Sequence, residues 1–198
     1  MVDQSWYYGT VKNAIILHGK PGKEEYYDPK APSMSNAHWI PWLQGQLLKH
    51  DIWAATPEVP NAFQPEWKLW CREVERFDIT PETIVVGHSC GAGFWLRWLS
   101  DHKDIKVAKV ILVAPSLGYG WDGDHFFEGF ELDPGLDSRS FITIFSSDND
   151  HEGINKAVKE IRGKLSNVRH KEFHDYGHFT IDSMKTTEFP ELLTEVLA

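Results

Sequence analysis

A chain of 198 residues with 41% hydrophobic and 25% charged side chains has the composition of an ordinary globular protein and is long enough to form one hydrophobic core. The formal net charge of −9 at pH 7 argues against nucleic acids and anionic membranes as partners, because clustered Lys and Arg hold both. The apolar run 14–17 is too short to cross or target a membrane, so we expect a cytoplasmic location.

Six short apolar runs rich in β-branched residues are typical of β-strands. They are residues 13–17, 52–56, 83–87, 107–113, 141–145 and 168–173. The segments between them have helical period, and Pro65 and Pro190 lie where a first helical turn should begin. This alternation predicts a three-layer α/β fold, in which a mostly parallel sheet of about six strands is flanked by helices. We expect a single domain over residues 1–198.

Two long segments, 20–35 and 116–139, fit neither the strand nor the helix pattern. Both follow predicted strands, and the connections after the carboxyl ends of parallel strands form the ligand crevice. We therefore expect both segments over the functional site, the second as a small cap. The aromatic and acidic side chains of 116–139, including Trp121, Asp122 and Asp124, would then favour neutral or cationic substrates over anionic ones. The alternative is a cap whose aromatic side chains are buried and whose acids are only solvated.

The run Gly87-His88-Ser89-Cys90-Gly91 matches the G-x-S-x-G nucleophile elbow. A predicted strand leads into it and a helical segment follows, as this motif requires. The glycines leave room for a tight turn that exposes the serine hydroxyl above the sheet. We predict that Ser89 is the nucleophile and that Cys90 is structural. The alternative is a glycine-rich turn whose serine caps a helix.

A catalytic serine needs a histidine to take its proton and a carboxylate to orient that histidine, and in this motif's usual fold the acid precedes the histidine in the chain. His178 lies in a loop just beyond the last predicted strand and is the preferred base, with His174 as its rival. The acid should follow the fifth strand. Asp148 and Asp150 both do so, and position alone does not decide between them.

Two backbone N–H groups are the expected donors to an oxyanion. One belongs to Cys90, at the start of the helix after the serine. The other belongs to Lys20, in the loop after the first strand, where the neighbouring Pro21 has no N–H to donate.

No metal or cofactor is expected. The run from Asp148 to Gly153 resembles the start of an EF-hand loop, but its twelfth position is Lys159, where a bidentate carboxylate is needed. His174 and His178 are spaced as zinc ligands on a helix can be, yet the H-E-x-x-H pattern is missing. No dinucleotide or phosphate-loop fingerprint occurs. The expected partner is a small-molecule acyl substrate.

The chain resembles the YdeN-type serine hydrolases, the α/β-hydrolase family that also includes retinoblastoma-binding protein nine. Beyond the elbow, the resemblance rests on residues 38–43, 60–65, Trp67 and Gly177-His178-Phe179. It implies that the catalytic aspartate is Asp150, directly after Asn149. This chain departs from similar proteins in continuing with His151-Glu152-Gly153, where they usually carry proline and apolar residues.

The chemistry that these residues imply is acyl transfer from an ester, thioester or amide through a covalent acyl-enzyme. We expect hydrolysis of carboxylic esters first, and peptidase or acyltransferase activity second, because all three use the same site. A protein-binding module that retains the site is the alternative from a different class, since a fold does not determine a function.

Overall fold

The computed structural model of the protein describes residues 12–120 and 125–198. Its strands are β1 (Asn13–Leu17), β2 (Trp53–Ala55), β3 (Ile84–His88), β4 (Lys109–Val113), β5 (Phe141–Ser147) and β6 (Val168–Phe173). Its helices are α1 (Lys23–Tyr27), α2 (Ile40–Lys49), α3 (Trp67–Val74), α4 (Cys90–Asp101), α5 (Leu136–Arg139), α6 (Glu152–Lys164), α7 (Ile181–Met184) and α8 (Pro190–Leu197). A 3₁₀ turn covers Met34–Asn36.

The six strands form one sheet in the order β2-β1-β3-β4-β5-β6, and every neighbouring pair is parallel. The predicted α/β fold is therefore confirmed. All five residues of β3 are buried, as expected for a central strand covered by helices on both faces. The strand order reverses between β1 and β3, and in such sheets the ligand crevice lies outside the carboxyl ends of the strands at this reversal.

Helix packing follows the apolar periodicity of the sequence. On α6, Ile154, Ala157, Val158 and Ile161 are buried, as is Leu165 directly after the helix. Helix α4, which follows the predicted elbow, is buried along most of its length. Among the helices of the described residues, none is long and apolar enough to span a membrane.

Three local predictions need correction. Pro65 does not begin a helix, because Glu66 after it is extended and α3 starts at Trp67. The fifth strand continues past its predicted end, up to Ser147. The segment 20–35 is not all loop, since it contains α1 and part of the 3₁₀ turn. Helix α1 has only five residues and buries none of them, so it leaves no periodic apolar pattern in the sequence.

The segment 116–139 packs part of its aromatic content onto helices α3 and α4. Phe126 is buried, and its ring contacts those of Trp67, Trp70 and Phe94 at centroid distances between 5.2 and 6.5 Å. Trp121, Asp122 and Asp124 lie outside the described residues. The role of this segment as a cap stays a prediction.

Helix α8 is attached to the sheet through the buried carboxylate of Glu195. Thr143 Oγ1 on β5 donates a hydrogen bond of 2.8 Å to it, and on β6 the Arg169 Nη1 and Lys171 Nζ atoms lie 3.1 and 2.6 Å from its oxygens. Burial alone would raise the pKa of Glu195, but the hydrogen bonds from Lys171 and Thr143, together with the charges of Lys171 and Arg169, lower this pKa below its ordinary value. The charged form of Glu195 therefore stabilises the folded state.

We expect Glu195→Gln to lower the free energy of unfolding at pH 7 by about 1.5 to 3 kcal/mol, the usual worth of a hydrogen bond to a charged group. Because the folded pKa is depressed, the contribution is fully present above the unfolded-state pKa of about 4.3 and is lost as the pH falls through the folded value. Urea unfolding of both proteins at several pH values should show the difference shrinking towards low pH.

Glu191→Gln, an exposed position in the first turn of α8, is the matched control and should change stability by less than about 0.5 kcal/mol. Equal effects of the two substitutions, or a Glu195→Gln difference that does not depend on pH, would contradict the assignment.

Candidate active site

Ser89 occupies the turn between β3 and α4 with φ of 53° and ψ of −114°. Residues with side chains seldom adopt positive φ, and such strain persists only where the surroundings enforce it. Here the Ser89 N–H donates to the Val113 carbonyl at 2.9 Å, and the Ser89 carbonyl accepts from the Ser116 N–H at 3.0 Å. The end of β4 and the residues after it therefore hold the turn in place.

The two glycines of the motif allow the close packing that this turn needs. A Cβ on Gly87 would lie 2.5 Å from the Ala92 backbone, and one on Gly91 would lie 2.4 Å from the His18 carbonyl oxygen. Both distances are far inside van der Waals contact with backbone that cannot move aside. Gly91 in particular lets the start of α4 lie directly against the loop after β1.

His18 holds the loop after β1 beside the serine. Its Nε2 accepts the Val59 N–H at 3.0 Å, so Nδ1 carries the proton and donates to the Gly19 carbonyl at 2.7 Å. Burial lowers the pKa of His18 and favours this neutral form. A Cβ on Gly19 would lie 3.1 Å from Ser89 Cβ, which brings the Gly19-Lys20 backbone next to the serine.

Asp150 and His178 come together above the ends of β5 and β6. The His178 Nδ1 atom lies 2.9 and 3.1 Å from the two carboxylate oxygens of Asp150. The Asp150 side chain is fully buried, whereas the His178 side chain is 21% exposed. Since the carboxylate accepts, Nδ1 carries the proton in neutral His178, and this leaves Nε2 able to accept another.

Asp148 and His174 form a second Asp–His pair from the same two loops. The His174 Nδ1 atom hydrogen-bonds Asp148, its Nε2 lies 3.0 Å from Asp175, and the His174 side chain is 82% exposed. The hydrogen bond to Asp148 raises the pKa of His174. The three ligand-type side chains lie within 4.8 Å of one another, and these ion pairs account for their grouping.

The loop after β5 and the loop after β6 are hydrogen-bonded to each other through Ser147 and Asn149. The Tyr176 N–H donates to Ser147 Oγ at 3.0 Å, and the Gly177 N–H donates to Asn149 Oδ1 at 2.8 Å. These contacts fix the backbone on both sides of the Asp150–His178 pair. The sequence did not predict that Asn149 accepts a hydrogen bond from this loop. Its position directly before Asp150 is the one feature of the sequence that points to it.

A cavity of ≈ 280 Å³ opens at the carboxyl ends of β1 and β3. It is lined by Gly19, Lys20, Glu25, Met34, His38, His88, Ser89, His178, Thr180 and Asp182. The structure thus brings Ser89, His178 and Lys20 to one cavity, with Asp150 hydrogen-bonded to His178 and Cys90 buried directly after the serine. Asp148 and His174 are not among its lining residues. Sequence reasoning missed Glu25, His38 and Asp182, which are far apart in the chain.

A larger cavity of ≈ 550 Å³ between α6 and β6 lacks these features. It contains a hydrogen bond of 2.8 Å between Ser146 Oγ and His170 Nε2. Ser146 is buried within the regular strand β5, however, and is not presented on a strained turn. We therefore place the candidate active site at the Ser89 cavity.

A parallel sheet with a strained serine turn after β3 and an Asp–His pair after β5 and β6 defines the α/β-hydrolase class. Within that class, the chain belongs to the serine hydrolase family, whose model matches residues 32–195.

The relatives agree with this family. YdeN of Bacillus subtilis strain 168, named as a hydrolase, is 28% identical over 179 residues, which is 86% of this chain and 87% of YdeN. The crystal structure of the B. subtilis ydeN gene product matches with a TM-score of 0.75 at 24% identity, covering 94% of this chain and 97% of that one. The predicted resemblance to YdeN-type serine hydrolases is confirmed.

A more distant match shows the fold alone. The monoacylglycerol lipase of Paleococcus ferrophilus has a TM-score of 0.60 and 10% identity, over 93% of this chain and 92% of that one.

Proposed function

We propose that the protein hydrolyses carboxylic esters of small molecules through an acyl-enzyme, with Ser89 as nucleophile, His178 as general base and Asp150 as the residue that orients His178. The observation that carries the proposal is the shared cavity: Ser89 and His178 both line it, and the Nδ1 of that histidine is bound by a buried carboxylate. No metal or cofactor takes part in the proposed steps.

In the first step Ser89 Oγ attacks the ester carbonyl carbon while its proton passes to Nε2 of His178. The N–H groups of Cys90 and Lys20 stabilise the tetrahedral oxyanion, at about 2.7 to 4 kcal/mol per donor in comparable enzymes. Collapse of this intermediate breaks the bond to the alkoxy oxygen, which leaves as the alcohol with the proton from His178. Water, deprotonated by His178, then attacks the acyl carbon. The bond to Ser89 Oγ breaks, the serine oxygen takes the proton back from His178, and the acid is released.

The choice of an ester rests on the chemistry known for the fold. Ester cleavage is chemistry that this fold performs, as the name of the matching monoacylglycerol lipase indicates. A peptidase or an acyltransferase would use the same residues and would differ in the leaving group or the acceptor. Hydrolysis of matched p-nitrophenyl esters and amides, and transfer to added alcohols, separates these activities.

We expect a fluorophosphonate probe to label Ser89, and Ser89→Ala to abolish both labelling and ester turnover, because this hydroxyl is the only nucleophile that the mechanism activates. The loss of turnover should be on the order of a millionfold. Mass spectrometry of the labelled peptide and initial rates on a p-nitrophenyl ester measure the two effects.

Cys90→Ala retains the backbone N–H and is the matched control, so labelling should persist in it. Labelling should also be unchanged by a metal chelator. A Ser89→Ala protein that still reacts would overturn the nucleophile, and an unreactive wild-type protein would favour a protein-binding role instead.

Substitution of Asp150 and of Asp148 should have different effects if Asp150 is the residue that orients His178. We expect Asp150→Asn to lower kcat by roughly 10⁴, because an amide facing Nδ1 favours the wrong imidazole tautomer. Asp148→Asn should have a much smaller effect, since Asp148 binds His174. Steady-state kinetics of both variants on one ester decides between them, and the reverse ranking would transfer the role to Asp148.

The charge of the cavity lining bears on the substrate. Glu25 and Asp182 contribute two carboxylates and Lys20 contributes one ammonium group. Burial lowers the pKa of His38, which keeps this histidine neutral at pH 7 in spite of the nearby Glu25. The resulting negative field favours neutral or cationic substrates over anionic ones. These carboxylates support the preference that the segment 116–139 suggested from sequence.

Matched neutral, cationic and anionic esters should therefore differ in kcat/KM, the cationic ester being favoured over the anionic one by about tenfold, or about 1.4 kcal/mol, at low ionic strength. Added salt should shrink this preference by screening. The double substitution Glu25→Gln and Asp182→Asn should remove most of it, whereas Glu24→Gln, on the same short helix, should not. A preference for the anionic ester at low salt contradicts the hypothesis.

A further inference from the structure

His88, the residue directly before Ser89, reaches across the site to the backbone of His178. Its Nε2 lies 2.8 Å from the His178 carbonyl oxygen, although the two residues are 90 positions apart in the chain. A carbonyl oxygen only accepts, so Nε2 carries the proton and donates. The His88 side chain is buried, with 2% of the residue exposed.

The other nitrogen of His88 has no hydrogen-bond partner among the residues that the structure describes. Its Nδ1 is buried and makes no hydrogen bond to any residue in the described ranges. A buried acceptor without a partner is unfavourable and is uncommon in folded proteins. If this side chain served only to fill the core, an apolar side chain of similar size would be more favourable. The donor on Nε2 is therefore the property that distinguishes histidine at this position.

The loop that carries His178 also donates hydrogen bonds to a different part of the sheet. The N–H groups of Asp175, Tyr176 and Gly177 donate to side chains of Asp148, Ser147 and Asn149. All three acceptors belong to β5 or the loop after it. His88 supplies the connection from β3, the strand that ends in the nucleophile turn.

These two sets of contacts control different distances. The bonds from the β5 loop set His178 relative to Asp150, which follows the same strand. They do not connect His178 to Ser89. The bond from His88 does, because its donor is one residue from the serine and its acceptor is the backbone of the base.

We propose that His88 is a positioning residue of the hydrolase: its Nε2–H holds the His178 backbone at the distance from which Nε2 of His178 can take the Ser89 proton. The inference rests on the proposed function. Misplacement of a catalytic group by about 1 Å can lower a rate by about a hundredfold, so one backbone contact is sufficient to matter.

A neutral donor suits this position better than a cation. The His88 and His178 rings are 5.1 Å apart between centroids, and His178 becomes positively charged when it accepts the serine proton. A lysine or arginine here would disfavour that charge. Burial, and the nearby His178, hold the pKa of His88 well below its ordinary value, so it donates without carrying charge. Ring contacts with His38 and Trp39 orient it.

Three substitutions separate the donor from the packing. In His88→Gln the side-chain amide reaches as far as Nε2 and can still donate. In His88→Asn the amide is polar but too short, and His88→Leu retains bulk without a donor. The readout is covalent modification of Ser89 by a fluorophosphonate, resolved into the maximal inactivation rate and the concentration for half-maximal rate. This readout needs no knowledge of the natural substrate, and thermal unfolding monitors folding.

We expect His88→Gln to react within about threefold of wild type and both other variants to react about a hundredfold more slowly at saturation, with unchanged half-maximal concentration. A defect of that form, rescued by glutamine, is not expected from loss of packing. Wild-type rates in His88→Asn and His88→Leu, or equal loss in all three variants, would overturn the positioning role. Failure of wild type to react at Ser89 would instead count against the proposed function. If His88→Leu does not fold, the Gln and Asn pair makes the same comparison.

Discussion

The strained backbone of Ser89 is the constraint on which the rest of the site depends. Positive φ at a serine is unfavourable, and here it is maintained by hydrogen bonds with Val113 and Ser116 and by two glycines. Gly87 lets the start of α4 pack against the end of β3, and Gly91 lets it pack against the end of β1. The turn lies where the strand order reverses between β1 and β3, so the loops after these strands diverge and leave a cavity. Topology thus determines where the serine, itself only 8% exposed, meets the cavity.

Because the strands are parallel, the loops after them place the other residues of the candidate site at the same edge of the sheet as Ser89. The loop after β1 brings Lys20, the loop after β5 brings Asp150, and the loop after β6 brings His178. None of these loops is regular, and three residues close together after β6, namely Asp175, Gly177 and Phe179, have positive φ. Such a loop holds a catalytic side chain only if its backbone is bound from several sides. Here N–H groups of the loop donate to Ser147 and Asn149, and the His178 carbonyl accepts from His88.

What the sequence predicts well here is local or periodic. The serine turn could be predicted because its two glycines leave room for backbone that a side chain would clash with. The strands could be predicted from continuous apolar runs. Helix α1 was not predicted because its five residues, none of which is buried, carry no periodic apolar pattern. The hydrogen bond from His88 could not be predicted, because its acceptor is a backbone carbonyl that any residue at position 178 would offer.

The choice between Asp148 and Asp150 shows why position alone is insufficient. Two aspartates that are two residues apart follow β5, and two histidines that are four residues apart follow β6, so position in the chain would let either pair form. Burial separates them: the Asp150 side chain is fully buried beside the cavity, whereas that of Asp148 is 42% exposed and paired with an exposed histidine. An exposed pair is screened by water and orients its histidine weakly. The hydrogen bond from His178 Nδ1 to the buried carboxylate of Asp150 holds the ring in the orientation that the proposed mechanism requires of the base.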